Sequence, residues 1–265
     1  MKKILSLVVV LIIGVSVFAG CSKKDGAQYA NTLEKVQKTK KILIGVDDTY
    51  PPMEFKDDSN KLVGFDVDVA EAVAKKLGVT IEWMSTSWDG IFTSLSSKRF
   101  DVIHSSVSIT DERKETMIFT DPYITGGTAI YVKKGNTNIK TSDDLKGKVV
   151  GVQAQTTADE VVTKLGTTKE IKKYTGMTEA FLDLENGRVE AVVSDPMVGN
   201  YYVSKQPDKF DAPKSNLTEE PIGVAFRKED TQLRDAYNKA MSELKADGTL
   251  SSISKKWFGS DIYNK

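Results

Sequence analysis

The chain has 265 residues, 40% of them hydrophobic, and its 37 basic and 37 acidic side chains leave no formal net charge. That apolar content builds a substantial core, in one large domain or two small ones. The neutral balance gives no electrostatic footprint for a nucleic-acid partner, and the single cysteine, Cys21, excludes intrachain disulfides and cysteine-based metal or redox sites.

Residues 1–20 read as a targeting segment. Lys2 and Lys3 give a positive start, and Ile4 to Phe18 form an uncharged apolar run, shorter than the roughly 20 residues a spanning helix needs. Phe18-Ala19-Gly20-Cys21 looks like a bacterial lipobox, in which the cysteine is lipidated, with palmitate expected, and becomes the new amino terminus. An ordinary signal peptide beside a chance cysteine is the other reading. Cleavage before Cys21 removes two of the 37 basic residues and none of the acids, for a net charge of −2. Residues 21–40 are polar and read as a flexible tether between membrane and fold, although Leu33 and Val36 allow a helical turn. Such an anchor places the work at the extracytoplasmic face of the cell membrane.

Lys41 to Val46 is a compact apolar run suited to a buried strand. It leads into Asp47-Asp48-Thr49-Tyr50-Pro51-Pro52-Met53-Glu54-Phe55, where two prolines oppose helix and central strand and predict a rigid extended loop. Ligands of open α/β sheets bind outside the carboxyl ends of strands. The acids here and Tyr50 are therefore site candidates, whereas Phe55 reads as packing under the loop. Beyond Gly64, Ala70, Val73, Ala74 and Leu77 keep helical spacing, with acids in the first turn, lysines in the last and Gly78 as a stop. This helix reads as scaffold; Asp66 and Asp68 facing a cleft from its start is the other reading. Val79 to Trp83 is a second strand. A helix then starts at Trp88 with Ile91, Phe92 and Leu95 on its apolar face; Trp88 is either a hydrophobic staple or one wall of a site.

A third strand, Phe100 to Ile103, runs into a cluster of hydroxyls at Ser105, Ser106 and Ser108. Thr110 stands where a helix N-cap belongs, and Arg113 falls in the first turn, where the positive end of the helix disfavours a cation. An anion from outside the chain resolves the oddity, because a guanidinium holds a carboxylate bidentately. A surface salt bridge to Asp111, Glu115 or Asp121 explains it equally on this stretch alone. His104, the one histidine, reads as a satisfied core residue. Three strand-to-helix crossings predict an α/β fold with a parallel sheet.

Gly126-Gly127 then precedes the β-rich run Thr128 to Val132, a first crossing between lobes. From Thr141 a new series is predicted: strand Lys148 to Val152, helix from Thr157, strand Glu170 to Tyr174, helix Met177 to Glu185 and strand Glu190 to Ser194. The return crossing is expected near Glu220 to Phe226, feeding a long helix from Asp230 to Ala246. Gln155 precedes Thr157-x-x-Glu160, a capping box whose free amides also suit an anion. Asp195-Pro196 spells an N-cap followed by proline at the first helical position, which capping alone explains.

Read in order, these motifs resemble the type 3 extracellular solute-binding proteins, the amino-acid receptors of ATP-driven (ABC) importers. The matches are Asp47-x-x-Tyr50-Pro51-Pro52, Gly64-Phe65-Asp66-Val67-Asp68-Val69, Trp88-Asp89-Gly90, Ser105 to Arg113, Thr120-Asp121-Pro122-Tyr123 and Lys256-Trp257-Phe258-Gly259. They cover Lys41 to Tyr263. Met53 departs from the family, which commonly has phenylalanine there, and bears on packing more than binding.

The resemblance implies the two-lobed periplasmic-binding-protein (type II) fold. Each lobe is a mostly parallel sheet with flanking helices, and two crossover strands form the hinge. One lobe takes residues 41–126 and 225–265, the other 127–224. It further implies that Arg113 holds a ligand α-carboxylate with Ser108 and Thr157, and that Asp195, with Ser106 or Ser108, holds the α-ammonium. Tyr50 and Trp88 would flank the side chain, Asp47 or Glu54 would test its far end, and Ser105 and Gln155 complete the ligand-binding set. No catalytic residue, metal or cofactor is expected. The expected partners are a free polar or cationic amino acid, ABC permease subunits and, through the lipid, the membrane, with the protein itself a monomer. The alternatives are a dehydratase or hydrolase on the same scaffold, with carboxylates such as Asp47 and Glu54 as acid and base, and a sensory or adhesion lipoprotein.

Overall fold

The computed structural model describes residues 29–212 and 216–263. The signal segment, the lipobox and Cys21 lie outside the described residues. Thr32–Thr39 form helix α1, N-capped by Asn31. Val36 is fully buried, Lys35 pairs with Asp101 at 2.6 Å, and Thr32 Oγ1 donates to Asp230. Residues 32–39 therefore correct the tether reading. One apolar anchor and two tertiary polar contacts fix a stretch whose composition alone looks soluble.

Strand β1 (Lys41–Val46) leads into a small antiparallel meander, β2 (Thr49–Tyr50), β3 (Glu54–Lys56) and β4 (Leu62–Val63). The predicted extended loop is thus partly a sheet. Its two prolines sit in the turn between β2 and β3, where they remove no ladder hydrogen bond. Helix α2 (Phe65–Leu77) ends as predicted at Gly78, which is left-handed at φ 68°. There follow β5 (Thr80–Ser85), α3 (Trp88–Ser96), β6 (Val102–Ser108), α4 (Asp111–Thr116), β7 (Met117–Phe119) and the long β8 (Ile124–Lys133). The second half comprises β9 (Val149–Gln153), α5 (Thr157–Leu165), β10 (Glu170–Tyr174), α6 (Met177–Glu185), β11 (Ala191–Ser194), α7 (Pro196–Lys205) and β12 (Phe210–Asp211). It closes with β13 (Thr218–Arg227), α8 (Thr231–Ala246) and α9 (Thr249–Phe258). Periodicity did not separate α9 from the chain end.

The main sheet runs β10-β9-β11-β8-β13-β6-β1-β5. Strands β5, β1 and β6 are mutually parallel at one end, as are β10, β9 and β11 at the other. Between them β8 and β13 pair antiparallel from Thr128↔Thr218 to Ile124↔Ile222. Beyond that stretch β8 continues onto β11, and β13 onto β6 and β7. This is the two-lobed α/β architecture with two crossover strands. Its second crosser begins at Thr218, two residues before the position expected from sequence. Each half has its own apolar layer: Ile91, Leu95, Phe100 and Ile103 in the first lobe, and Val150, Val152, Val162 and Val193 in the second.

Candidate functional site

The carboxyl ends of β1, β6 and β9 all open onto one interlobe cavity. Asp47, Tyr50, Glu54, Trp88, Ser105, Ser106, Ser108 and Arg113 line it from the first lobe, and Gly127, Gln153, Thr156, Thr157, Ala158 and Asp195 from the second. Nine of the ten residues proposed from sequence are brought together here. The tenth, Gln155, is exposed and left-handed at φ 59°. Its carbonyl accepts the Trp88 indole N–H at 3.0 Å, so its backbone ties the lobes together while its side chain stays out of the cavity.

Arg113 is buried, and its guanidinium lies 5.5 Å from the Trp88 ring centroid and 5.0 Å from that of Phe92. Its Nη1 donates to Ser108 O at 3.0 Å. Among the described residues no carboxylate lies within ion-pair distance, so the surface salt bridge with Asp111, Glu115 or Asp121 is not made. Desolvation lowers the Arg113 pKa, opposed by the more distant Glu160 and Glu220. The aromatic walls hold the cation by cation–π attraction and keep water away, leaving its remaining donors for an anion.

The second-lobe end of the cavity begins with a helix start that differs by one residue from the sequence reading. Thr156, not Thr157, caps α5, its hydroxyl accepting the Asp159 N–H. Thr157 and Ala158 form the first turn and face the cavity, where unpaired amides and the helix dipole favour negative charge. Asp195 does cap α7, through Met197 N–H at 2.7 Å. Its other oxygen accepts Gly127 N–H at 3.0 Å. Gly126 is required beside it: a Cβ there would collide with Asp195 Oδ2. Asp195 is only half-buried by surface because one side meets the cavity, yet burial raises its pKa to about 6, with Glu220 adding to the shift.

Two more carboxylates, from the end of β1 and the start of β3, line the same cavity. Asp47 Oδ1 accepts from Thr49 N–H and Oγ–H, and Oδ2 accepts from Gln153 Nε2 at 2.6 Å across the cleft. Burial raises its pKa. Glu54 accepts from Ser105 Oγ at 2.8 Å, and its Oε2, buried beside Asp66, meets no N–H or hydroxyl donor among the described residues. Burial, reinforced by Asp66, pushes its pKa well above the carboxylate range. Gln153 was missed from sequence, although it ends a strand as Asp47 does, and that rule would have found it.

Asp66, at the start of the helix read as scaffold, is fully buried behind the cleft, holding Ser106. Phe55, read as packing under its loop, touches Tyr201 of the other lobe and Trp257, both at 6.0 Å between ring centroids. His104 is a core residue: fully buried, with Nδ1 3.1 Å from Tyr237 OH. Among the described residues no cluster of His, Cys, Asp and Glu is arranged to hold a metal.

A desolvated cation and several buried carboxylates lining one cavity between two lobes define a cleft-binding receptor for a small charged molecule. The chain belongs to the bacterial extracellular solute-binding proteins, family 3, whose model matches residues 42–260. The L-cystine-binding protein TcyJ of Escherichia coli K12 is 39% identical over 252 residues, 95% of this chain and 94% of that one. An ancestral arginine-binding protein solved with arginine bound is 44% identical, with a TM-score of 0.80 over 83% of this chain and 98% of that one. The ancestral amino acid-binding protein AncCDT-1, a precursor of cyclohexadienyl dehydratase, is 38% identical, with a TM-score of 0.82 over 86% of this chain and 100% of that one.

Proposed function

We propose that the chain is the extracytoplasmic binding component of an ABC importer, capturing a cationic amino acid between its lobes and presenting it to membrane permease subunits. The charge balance of the cavity carries this reading. Arg113 answers the ligand α-carboxylate, aided by Ser108 and the first turn of α5, and Asp195 answers the α-ammonium. That leaves Asp47 and Glu54, both desolvated, facing the side chain. A neutral side chain would leave those acids uncompensated, whereas a guanidinium or ammonium pairs with them. Tyr50 and Trp88 flank its aliphatic stem. The arginine of the ancestral neighbour is a ligand of this kind.

In the same reading residues 41–126 and 225–265 form one moving body and 127–224 the other, and Cys21 carries the lipid that keeps a monomeric receptor at the membrane. Ligand bridging both lobes stabilises the closed form, which the permease distinguishes from the open one. In this reading capture leaves the ligand unchanged, as the names of the binding-protein relatives suggest. The dehydratase alternative draws on Glu54, whose raised pKa suits proton transfer, and on the AncCDT-1 likeness. Incubation with amino acids and prephenate-like acids separates the two; any product formed favours the enzyme.

A thermal-shift screen over all amino acids tests the ligand. At a hundredfold excess over Kd, L-arginine, L-lysine or L-ornithine is expected to raise the melting temperature by about 5 °C or more. A larger shift from a neutral amino acid would overturn the cationic assignment. Loss of amino-acid uptake on deletion distinguishes import from sensing or adhesion.

A further inference from the structure

We propose that Asp66 is a positioning residue that sets the site's preference for an ammonium, acting through Ser106; this rests on the amino-acid reading above. Ser106 lines the cavity at φ 48°, a left-handed conformation that a residue with a Cβ keeps only where its surroundings over-determine it. Asp66 supplies that constraint. Its Oδ2 accepts both the Ser106 backbone N–H, at 2.7 Å, and the Ser106 hydroxyl, at 3.0 Å. Its Oδ1 accepts the Tyr123 hydroxyl at 2.8 Å, so the carboxylate is held from both sides. The nearest His104 nitrogen, 3.9 Å from Oδ1, is too far to compete by hydrogen bonding.

With both of its donors committed to Asp66, Ser106 has only acceptors left to offer the cavity that it lines. The neighbouring Ser105 hydroxyl is committed too, donating to Glu54 and accepting the Asp47 N–H. An acceptor-only wall suits an ammonium, which brings three protons, better than a 2-hydroxyl with one or a 2-oxo group with none. Asp195 supplies the opposing charge, and Asp66 supplies the polarity of the wall beside it.

The test is calorimetric. The probes are the amino acid giving the largest shift in the screen above, L-arginine on that reading, and its 2-hydroxy acid. Asp66→Ala is expected to lower the preference for the amino acid over the hydroxy acid by about tenfold or more. Asp66→Asn, which keeps an acceptor oxygen, should restore most of it. A folded Asp66→Ala protein with the wild-type preference and only a lower melting temperature would overturn the proposal. Should that variant not fold, Asp66→Ser decides the matter. It keeps a small polar group at the position but is too short to hold both Ser106 donors, so an undiminished preference there equally refutes the role. A wild-type protein that binds no amino acid in the screen would instead remove the functional reading beneath it.

Discussion

Arg113→Ala is expected to lower amino-acid affinity by about a thousandfold or more while leaving the unfolding transition where it was, or slightly higher. The two halves of this result have one cause. The guanidinium is buried against Trp88 and Phe92 with no carboxylate partner among the described residues, so desolvation opposes its charge in the fold. Removing it relieves that strain on stability, as is common where a binding site is built at the expense of the scaffold. A bound α-carboxylate would then be buried without a counter-ion, a loss of about 3–5 kcal/mol. Arg113→Lys should recover little, because an ammonium cannot reproduce the planar fork or lie between two rings. Calorimetric titration beside a thermal melt checks both halves. Affinity within tenfold of wild type would remove Arg113 from the centre of the site.

The second large effect is on pH dependence. In the ligand-free fold, burial raises the Asp195 carboxyl from 3.8 to about 6. Its contribution to folding stability is therefore fully present below pH 3.8 and is lost as pH rises through about 6. Ligand binding has the opposite slope. The α-ammonium requires the ionised carboxylate, so affinity should fall as pH drops below about 6, by up to about tenfold per unit for one proton. Asp47 and Glu54 face the same cavity and are raised by burial as well. A cationic side chain favours the ionised form of that pair too, which adds to the slope in a way that a neutral ligand does not. Titrations in buffers of different ionisation enthalpy count the protons released. A flat affinity between pH 5 and 7 contradicts the assignment of Asp195.

What sequence made legible was the part of the site held in short runs. Arg113 stood out because a cation at a helix start conflicts with the dipole, and Asp47 and Tyr50 because they follow a buried strand. The alternation of strand and helix carried the architecture for the same reason: each unit buries its own apolar face. Long-range partnerships were not visible. Gln153 reaches Asp47 from another lobe, and Asp66 grips Ser106 from a helix forty residues earlier; no local period records either. Helix α1 was taken for a tether because its anchors, Asp101 and Asp230, are remote in the chain. The cap of α5 slipped by one residue because Thr156 and Thr157 are chemically equal candidates, and only backbone geometry chooses between them.

Three contacts described above join the lobes without using a ligand atom: Gln153 to Asp47, Trp88 to the Gln155 carbonyl, and Phe55 against Tyr201. In the proposed closing motion such contacts raise how often an empty receptor impersonates a loaded one. Each 1.4 kcal/mol they add multiplies the closed fraction of empty receptor by about ten while that fraction is small, and tightens apparent affinity for every ligand by the same factor. Fidelity of transport is then a balance struck at the rim of the cleft. Stronger clasps make a better scavenger but a noisier signal, one that invites the membrane machinery to cycle with nothing to carry.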